Sequence, residues 1–266
     1  MAELGQLRAL VAYEVSRRWR SLLVWGVALG GLGALYVALY PSMKTFMEQY
    51  LEQAPENMRR FLGELRGPLT AEQWLGMEFL DMLLPVALPF LVITMGARAL
   101  AGREERKTLD LLLGNPLARR QLVVSSLLTM AASLALVLAV TWVISYLAVA
   151  IVGVELGAGR LASALAALWP MCLLFGALAL LLSALVRRSA IAIAVPAVVL
   201  IAMYVVEALA QVSKTMEPVR IVSFFYHLGS PIQGDFPWTT VLAMLGGVCL
   251  LGLCASIAFE RRDLYT

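Results

Sequence analysis

Few side chains in this sequence are of a type that could do chemistry at depth in an apolar medium. Asp81, with Glu78 just before it, Glu207 and the single histidine His227 are the ionisable groups within or beside the long apolar runs of a 266-residue chain. A carboxylate or imidazole so placed can carry a proton or hold a cation, and two carboxylates together can act as acid and base. The surrounding sequence supports none of the hydrolytic patterns: there is no HExxH, no nucleophile elbow and no cluster of carboxylates. His227 has no Cys or His near it, so no metal-ligand set forms. Cys172, Cys249 and Cys254 fall inside apolar runs without zinc spacing or a disulfide framework. No GxxxxGK[ST] loop is present, so the chain has no means of hydrolysing a nucleotide itself. Nothing resembles a selectivity filter or a ring of pore charges. Asp81 and Glu207 lie near the outer ends of their runs, within reach of headgroup water. With Phe224, Phe225 and His227 they are the candidates for a substrate path or gate.

The elements that must position these groups are membrane helices. The chain is 61% hydrophobic and only 15% charged, against about 25% charged in soluble domains. Charge-free windows over 21–43, 82–97, 121–154, 161–186, 189–206 and 236–259 give six spans, because about 20 apolar residues cross the hydrocarbon core. Their bounds are set at 21–41, 77–101, 122–152, 161–186, 189–210 and 238–259. The fold class is an all-α integral membrane protein forming one transmembrane domain over 1–266. The first apolar run is too long for a signal-peptide core and lacks a small-residue cleavage site, so it stays as a span. Fourteen cations border one side of these spans, among them Arg17, Arg18, Arg103, Arg106, Arg119, Arg187 and Arg262, against seven on the other. Both termini are therefore expected in the cytoplasm. The net charge of +3 reflects that topology and not nucleic-acid binding.

Between the spans, Leu4, Leu7, Val11 and Val15 recur at helical spacing and predict an amphipathic helix over 1–20, lying on the cytoplasmic surface. Arg18 projects into that stripe and must snorkel to the headgroups or belong to the span. Gly26 and Gly30, four apart in span 1, are candidates for a seam between two copies. Pro85, Pro89, Pro170 and Pro196 should bend or loosen their spans. The outer segment 42–76 reads as a helical hairpin or loop broken at Pro55. The segment 211–237 is too short and turn-rich to cross. Its aromatics Phe224, Phe225, Tyr226, Phe236 and Trp238 suit headgroup depth, and it reads as short external re-entrant helices ending at Gly229 and Pro231.

The longest charged stretch, "GREERKTLDLLLGNPLARRQ", occupies 102–121. Thr108 can cap a short helix carrying Leu109, Leu112 and Leu113 on one side, and Gly114, Asn115 and Pro116 stop it. That apolar face calls for a partner surface, while the flanking charges are expected to hold the helix at the membrane surface. The segment resembles one found in type-2 ABC exporter permeases, through Glu104 or Glu105, Thr108, Leu109, Asp110, Leu112, Leu113, Pro116 and either Arg119 or Arg120. "LYPSM" at 39–43 and "FERRDL" at 259–264 are similar to that family too. The match departs at Lys107, where the family usually has glycine, which argues against a left-handed turn there.

The resemblance implies a half-transporter that pairs with a second copy of itself or a sister permease in the cell membrane and binds two separate ATPase subunits. ATP and magnesium would be bound by those subunits and no cofactor by this chain. Segment 102–121 would be the coupling helix, 1–20 a connecting helix and 211–237 the external gate. The substrate would be hydrophobic or amphipathic: a drug, antibiotic, lipid or polysaccharide precursor. Two other readings are a polytopic assembly or sensor protein using the same helix, and an ion-coupled carrier that depends on Asp81 or Glu207.

Overall fold

A computed structural model of the chain describes residues 2–53, 70–107, 119–212, 217–234 and 236–262, nearly all helical and, among those residues, without a strand. In chain order the helices are α1 (Ala2–Gln53), α2 (Ala71–Leu75), a π-helical stretch (Gly76–Leu83), α3 (Leu84–Ala99), α4 (Ala101–Glu105), α5 (Arg119–Val152), α6 (Ala158–Leu185), α7 (Ser189–Val212), a 3-10 turn (Glu217–Val222), α8 (Phe224–Leu228) and α9 (Trp238–Glu260). Six helical stretches are long and apolar enough to cross a membrane: α1, α2 through α3, α5, α6, α7 and α9. The chain is a multi-pass membrane protein.

The α6 helix is the most enclosed span and α7 the least. Around α6 are packed α3, α9, α5 and α7, while α1 lies chiefly along α5. Small residues permit this. Gly96 of α3 faces Gly176 of α6 so closely that a Cβ on Gly96 would run into the Gly176 carbonyl oxygen and stand 3.1 Å from the Leu180 amide nitrogen. Backbone cannot yield as a flexible side chain can, so Gly96→Ala should destabilise by about 1–3 kcal/mol. A thermal melt of the detergent-purified variant, compared with wild type, reads the effect.

Two expectations are corrected here. First, the amphipathic N-terminal segment is not a separate surface helix: α1 runs unbroken through it, past Pro41 and on through 42–53, which takes the helical of its two expected forms. No breaker separates residues 2 and 40, and α5 extends alongside to give the Leu7, Val11 and Val15 stripe a surface. The break expected at Pro55 lies outside the described residues. Second, Gly26 and Gly30 face α5 of the same chain, where added Cβ atoms would stand 2.7 Å from Val140 Cβ and 2.8 Å from Ile144 Cβ. The close approach that glycine permits is thus made within the chain. On α5 the matching ridge is Ser125, Thr129, Ser133, Thr141 and Ser145, all buried and four or eight apart. Arg18 takes the second of its two expected places, within the continuous helix that forms span 1. Its guanidinium reaches Glu14 at 3.5 Å, one helical turn back.

Span 2 starts on a capping box, with Thr70 and Gln73 exchanging hydrogen bonds. It then widens into the π-helical stretch before Pro85. Proline has no N–H to give the Asp81 carbonyl, and the looser register re-pairs the turn, with the Leu84 N–H donating to the Phe79 carbonyl.

Candidate functional site

The charges of segment 102–107 gather at one end of the bundle, the end that also carries Arg119, Arg187 and Arg262. The five residues of α4 reach four other helices. The α3 helix stops at Leu100, and there the Ser183 hydroxyl of α6 accepts from the Leu100 and Ala101 amides at 3.3 and 2.8 Å and donates to the Ala97 carbonyl at 2.8 Å. That buried serine fixes the start of α4. Arg103 then donates to Glu14 of α1 at 2.9 Å. Glu104 accepts from Arg262, beyond α9, at 2.7 Å and meets Arg187, beyond α6, at 3.5 Å. Glu105 accepts from both the amide and the hydroxyl of Ser189, each at 2.7 Å, and so caps α7 at its first residue.

The electrostatics follow from these contacts. Hydrogen bonds from the Ser189 hydroxyl and amide hold the Glu105 carboxyl below its ordinary range, so it stays ionised at neutral pH. Burial pulls the Arg103 guanidinium down from its usual value and Glu14 opposes the shift. Three of the flanking charges, Arg103, Glu104 and Glu105, are spent on neighbouring helices.

On the far side of the loop, Arg119 opens α5. Its Nη1 donates to the carbonyls of Phe259, Glu260 and Arg262 at 3.3, 3.2 and 2.8 Å, and its guanidinium lies over the Phe259 ring. Arg262 does the same for α6, its Nη1 donating to Ser183, Ala184 and Val186 at 3.3, 3.2 and 3.4 Å. Helix C-termini present unpaired carbonyls and partial negative charge, which a guanidinium satisfies. The α4 stem is therefore held to α6 by Ser183 and to Arg262 by Glu104, the α5 stem is held to the end of α9 by Arg119, and Arg262 joins the ends of α6 and α9. Thr108, Leu109, Asp110, Leu112, Leu113 and Pro116 lie outside the described residues. Lys107 takes a φ of 53°, so the left-handed turn is made after all, by a lysine, at a cost of roughly 1 kcal/mol relative to glycine.

At the opposite end, a second cluster ties down 217–234. Glu207 of α7 is buried and accepts from Arg220 Nε at 3.1 and 3.2 Å on its two oxygens, and the Arg220 guanidinium stands 4.8 Å above the Tyr226 ring. Asp81 accepts from the Ser230 hydroxyl at 2.9 Å. Phe224 meets Phe175 of α6 edge-on, and Phe225 meets Tyr204 of α7. His227 Nε2 bonds the Ile221 carbonyl at 2.8 Å and Thr240 donates to the His227 carbonyl. Three of the five gate candidates, Phe224, Phe225 and His227, thus belong to this segment, and the other two are joined to it, Glu207 through Arg220 and Asp81 through Ser230. Phe225 packs into the bundle and is 9% exposed. Gly229, at φ 61°, turns the chain out of α8.

Sequence reasoning missed Ser183, Ser189, Arg187 and Arg262 as functional partners. Arg187 and Arg262 were legible only as topology-setting charges. Nothing in the local sequence pairs Ser183 or Ser189 with residues more than 80 positions away. Among the described residues no group of three or more His, Cys, Asp or Glu could hold a metal.

Comparison with curated proteins gives no match. The family model described as ABC-2 family transporter protein matches residues 8–264, which spans the six apolar helices and both clusters. The chain accordingly belongs to the ABC-2 transporter family and is a membrane permease of an ABC transporter.

Proposed function

We propose that the chain is the permease subunit of an exporter that moves hydrophobic or amphipathic compounds out of the cytoplasm, driven by two separate ATPase subunits. It works as a pair of permeases, two copies or one with a sister chain, in the cell membrane. The basic end faces the cytoplasm, in keeping with the excess of Lys and Arg at span ends there. The observation that carries this reading is the double clamp. A loop whose two stems hold the C-termini of α6 and α9 passes on any displacement of its tip to those spans. An ATPase closing on the loop would move α6, the most enclosed span, and with it Phe175 and the outer segment that Phe175 touches.

The leucines of 108–118 supply the docking face in this reading. Leu112→Asp or Leu113→Asp should abolish ATP-driven export while the protein still inserts, because a carboxylate on an apolar contact surface costs about 2 kcal/mol or more. Export from vesicles and co-purification of the ATPase measure it. Normal values of both in either variant would sink the assignment.

A further inference from the structure

A furrow runs along the outside of the bundle where α1, α5 and α6 meet. Its half toward the basic end, about 660 Å³, lies between Leu7–Val15 of α1 and Leu128–Ala135 of α5, and its other half, about 530 Å³, lies between α5 and α6 up to Trp142. Ala135 and Trp169 line both halves, so they are one continuous channel. From Leu128 to Trp142 it follows α5 for about 21 Å at 1.5 Å per residue, more than the roughly 15 Å depth of one leaflet's hydrocarbon. Its exposed floor is alanine: Ala132, Ala135 and Ala139 on α5, Ala162 and Ala166 on α6. Its walls are fixed. Trp169 donates its indole N–H to the Ala131 carbonyl at 3.0 Å, and Trp142 donates to the Ala158 carbonyl at 3.2 Å while stacking on Tyr146.

A narrow, preformed apolar channel of this length suits a linear hydrocarbon chain. Arg8 is the single charged side chain on its walls. It stands exposed at the basic mouth and makes no ion pair among the described residues. We propose that the furrow holds one acyl chain of an anionic phospholipid from the leaflet at the basic end, with the lipid phosphate at Arg8. The site is independent of the loop clamp and of the transport reading. Its bound lipid fills the gap between α1 and the rest of the bundle, where α1 otherwise has only α5 as a broad partner.

The test uses the full-length chain in nanodiscs of equal phosphatidylglycerol and phosphatidylcholine, followed by native mass spectrometry of retained lipid. Wild type should keep phosphatidylglycerol in preference. Arg8→Gln, at an exposed position that does not support the fold, should lose about fivefold of that preference, the worth of one cation at an anionic surface. Ala135→Trp, which fills the shared middle of the furrow, should lower total retained lipid about tenfold. Wild-type retention in Ala135→Trp overturns the site, and an unchanged headgroup preference in Arg8→Gln overturns the role of Arg8. Disulfide capture between two copies through Ala135→Cys and Ala166→Cys would show a protein interface there instead.

Discussion

Replacing Arg262 with alanine is expected to lower stability by about 2–3 kcal/mol and to cut transport per ATP hydrolysed. The side chain is 11% exposed, and its two nitrogens serve four acceptors: three carbonyls at the end of α6 and the Glu104 carboxylate. Truncation leaves Glu104 with only the longer contact to Arg187 and removes a donor from the α6 terminus. Loss of one partner of a fully buried pair costs about 3–5 kcal/mol. Glu104 is 25% exposed, so solvent recovers part of that. The functional loss has a separate origin. Without Arg262 the α4 stem loses its link to the chain beyond α9 and holds α6 mainly through Ser183, and coupling carried by such a contact is worth about 1–2 kcal/mol. ATP hydrolysis by the partner subunits should continue while export falls roughly fivefold to thirtyfold. Arg262→Lys separates the two effects, since an ammonium retains the charge but not the forked geometry that reaches carbonyls and carboxylate together. It should restore most of the stability and less of the coupling. Melting curves and export-to-hydrolysis ratios in reconstituted vesicles read both, and unchanged ratios in Arg262→Ala would show that the clamp transmits nothing.

That clamp marks the limit of what the sequence made legible. Six spans follow from hydropathy alone, because a stretch such as 161–186 can satisfy its backbone in lipid only as a helix. The loop between spans 2 and 3 was visible as a polar interruption, and Glu104, Glu105 and Arg119 were visible in it by resemblance. Their partners were not. Arg262 is 158 positions from Glu104 and Ser189 is 84 from Glu105, and no local pattern encodes which helix ends will lie side by side. The glycines of span 1 show the same gap from the packing side. Four-residue spacing of Gly26 and Gly30 signals a close approach, but a partner in the same chain and a partner in another copy need the same small residues. The Ser and Thr ridge on α5 was the missing clue, readable as 125, 129, 133, 141 and 145. The continuous α1 was missed for a physical reason as well. Charges at Arg17, Arg18 and Arg20 look like the end of a surface helix, yet they are tolerated in a continuous one because Glu14 takes up Arg18 while Arg17 and Arg20 stay exposed.

At the other end of the bundle, Arg220→Ala should release the 217–234 segment. The two residues that hold it are unequal in exposure: the Glu207 side chain is 10% exposed and Arg220 27%. Arg220 approaches both carboxylate oxygens through Nε and adds the face of Tyr226, so it joins α7, the 3-10 turn and α8 through one guanidinium. Removing it withdraws the bidentate partner from a buried carboxylate, at about 3 kcal/mol. Local opening of the segment should then be roughly a hundredfold more frequent, seen as faster amide hydrogen exchange over 217–230 with little change in α6. Adding Glu207→Ala to Arg220→Ala should recover part of the loss, because no buried charge is then left behind. The same pair discriminates between transport classes. An ion-coupled carrier would need the Glu207 carboxylate to give up and regain a proton in each cycle, so Glu207→Gln would halt transport and leave the segment closed. If Glu207 serves as a latch for the outer segment, Glu207→Gln weakens the hold of Arg220 and speeds exchange, while transport continues on ATP with every ion gradient collapsed.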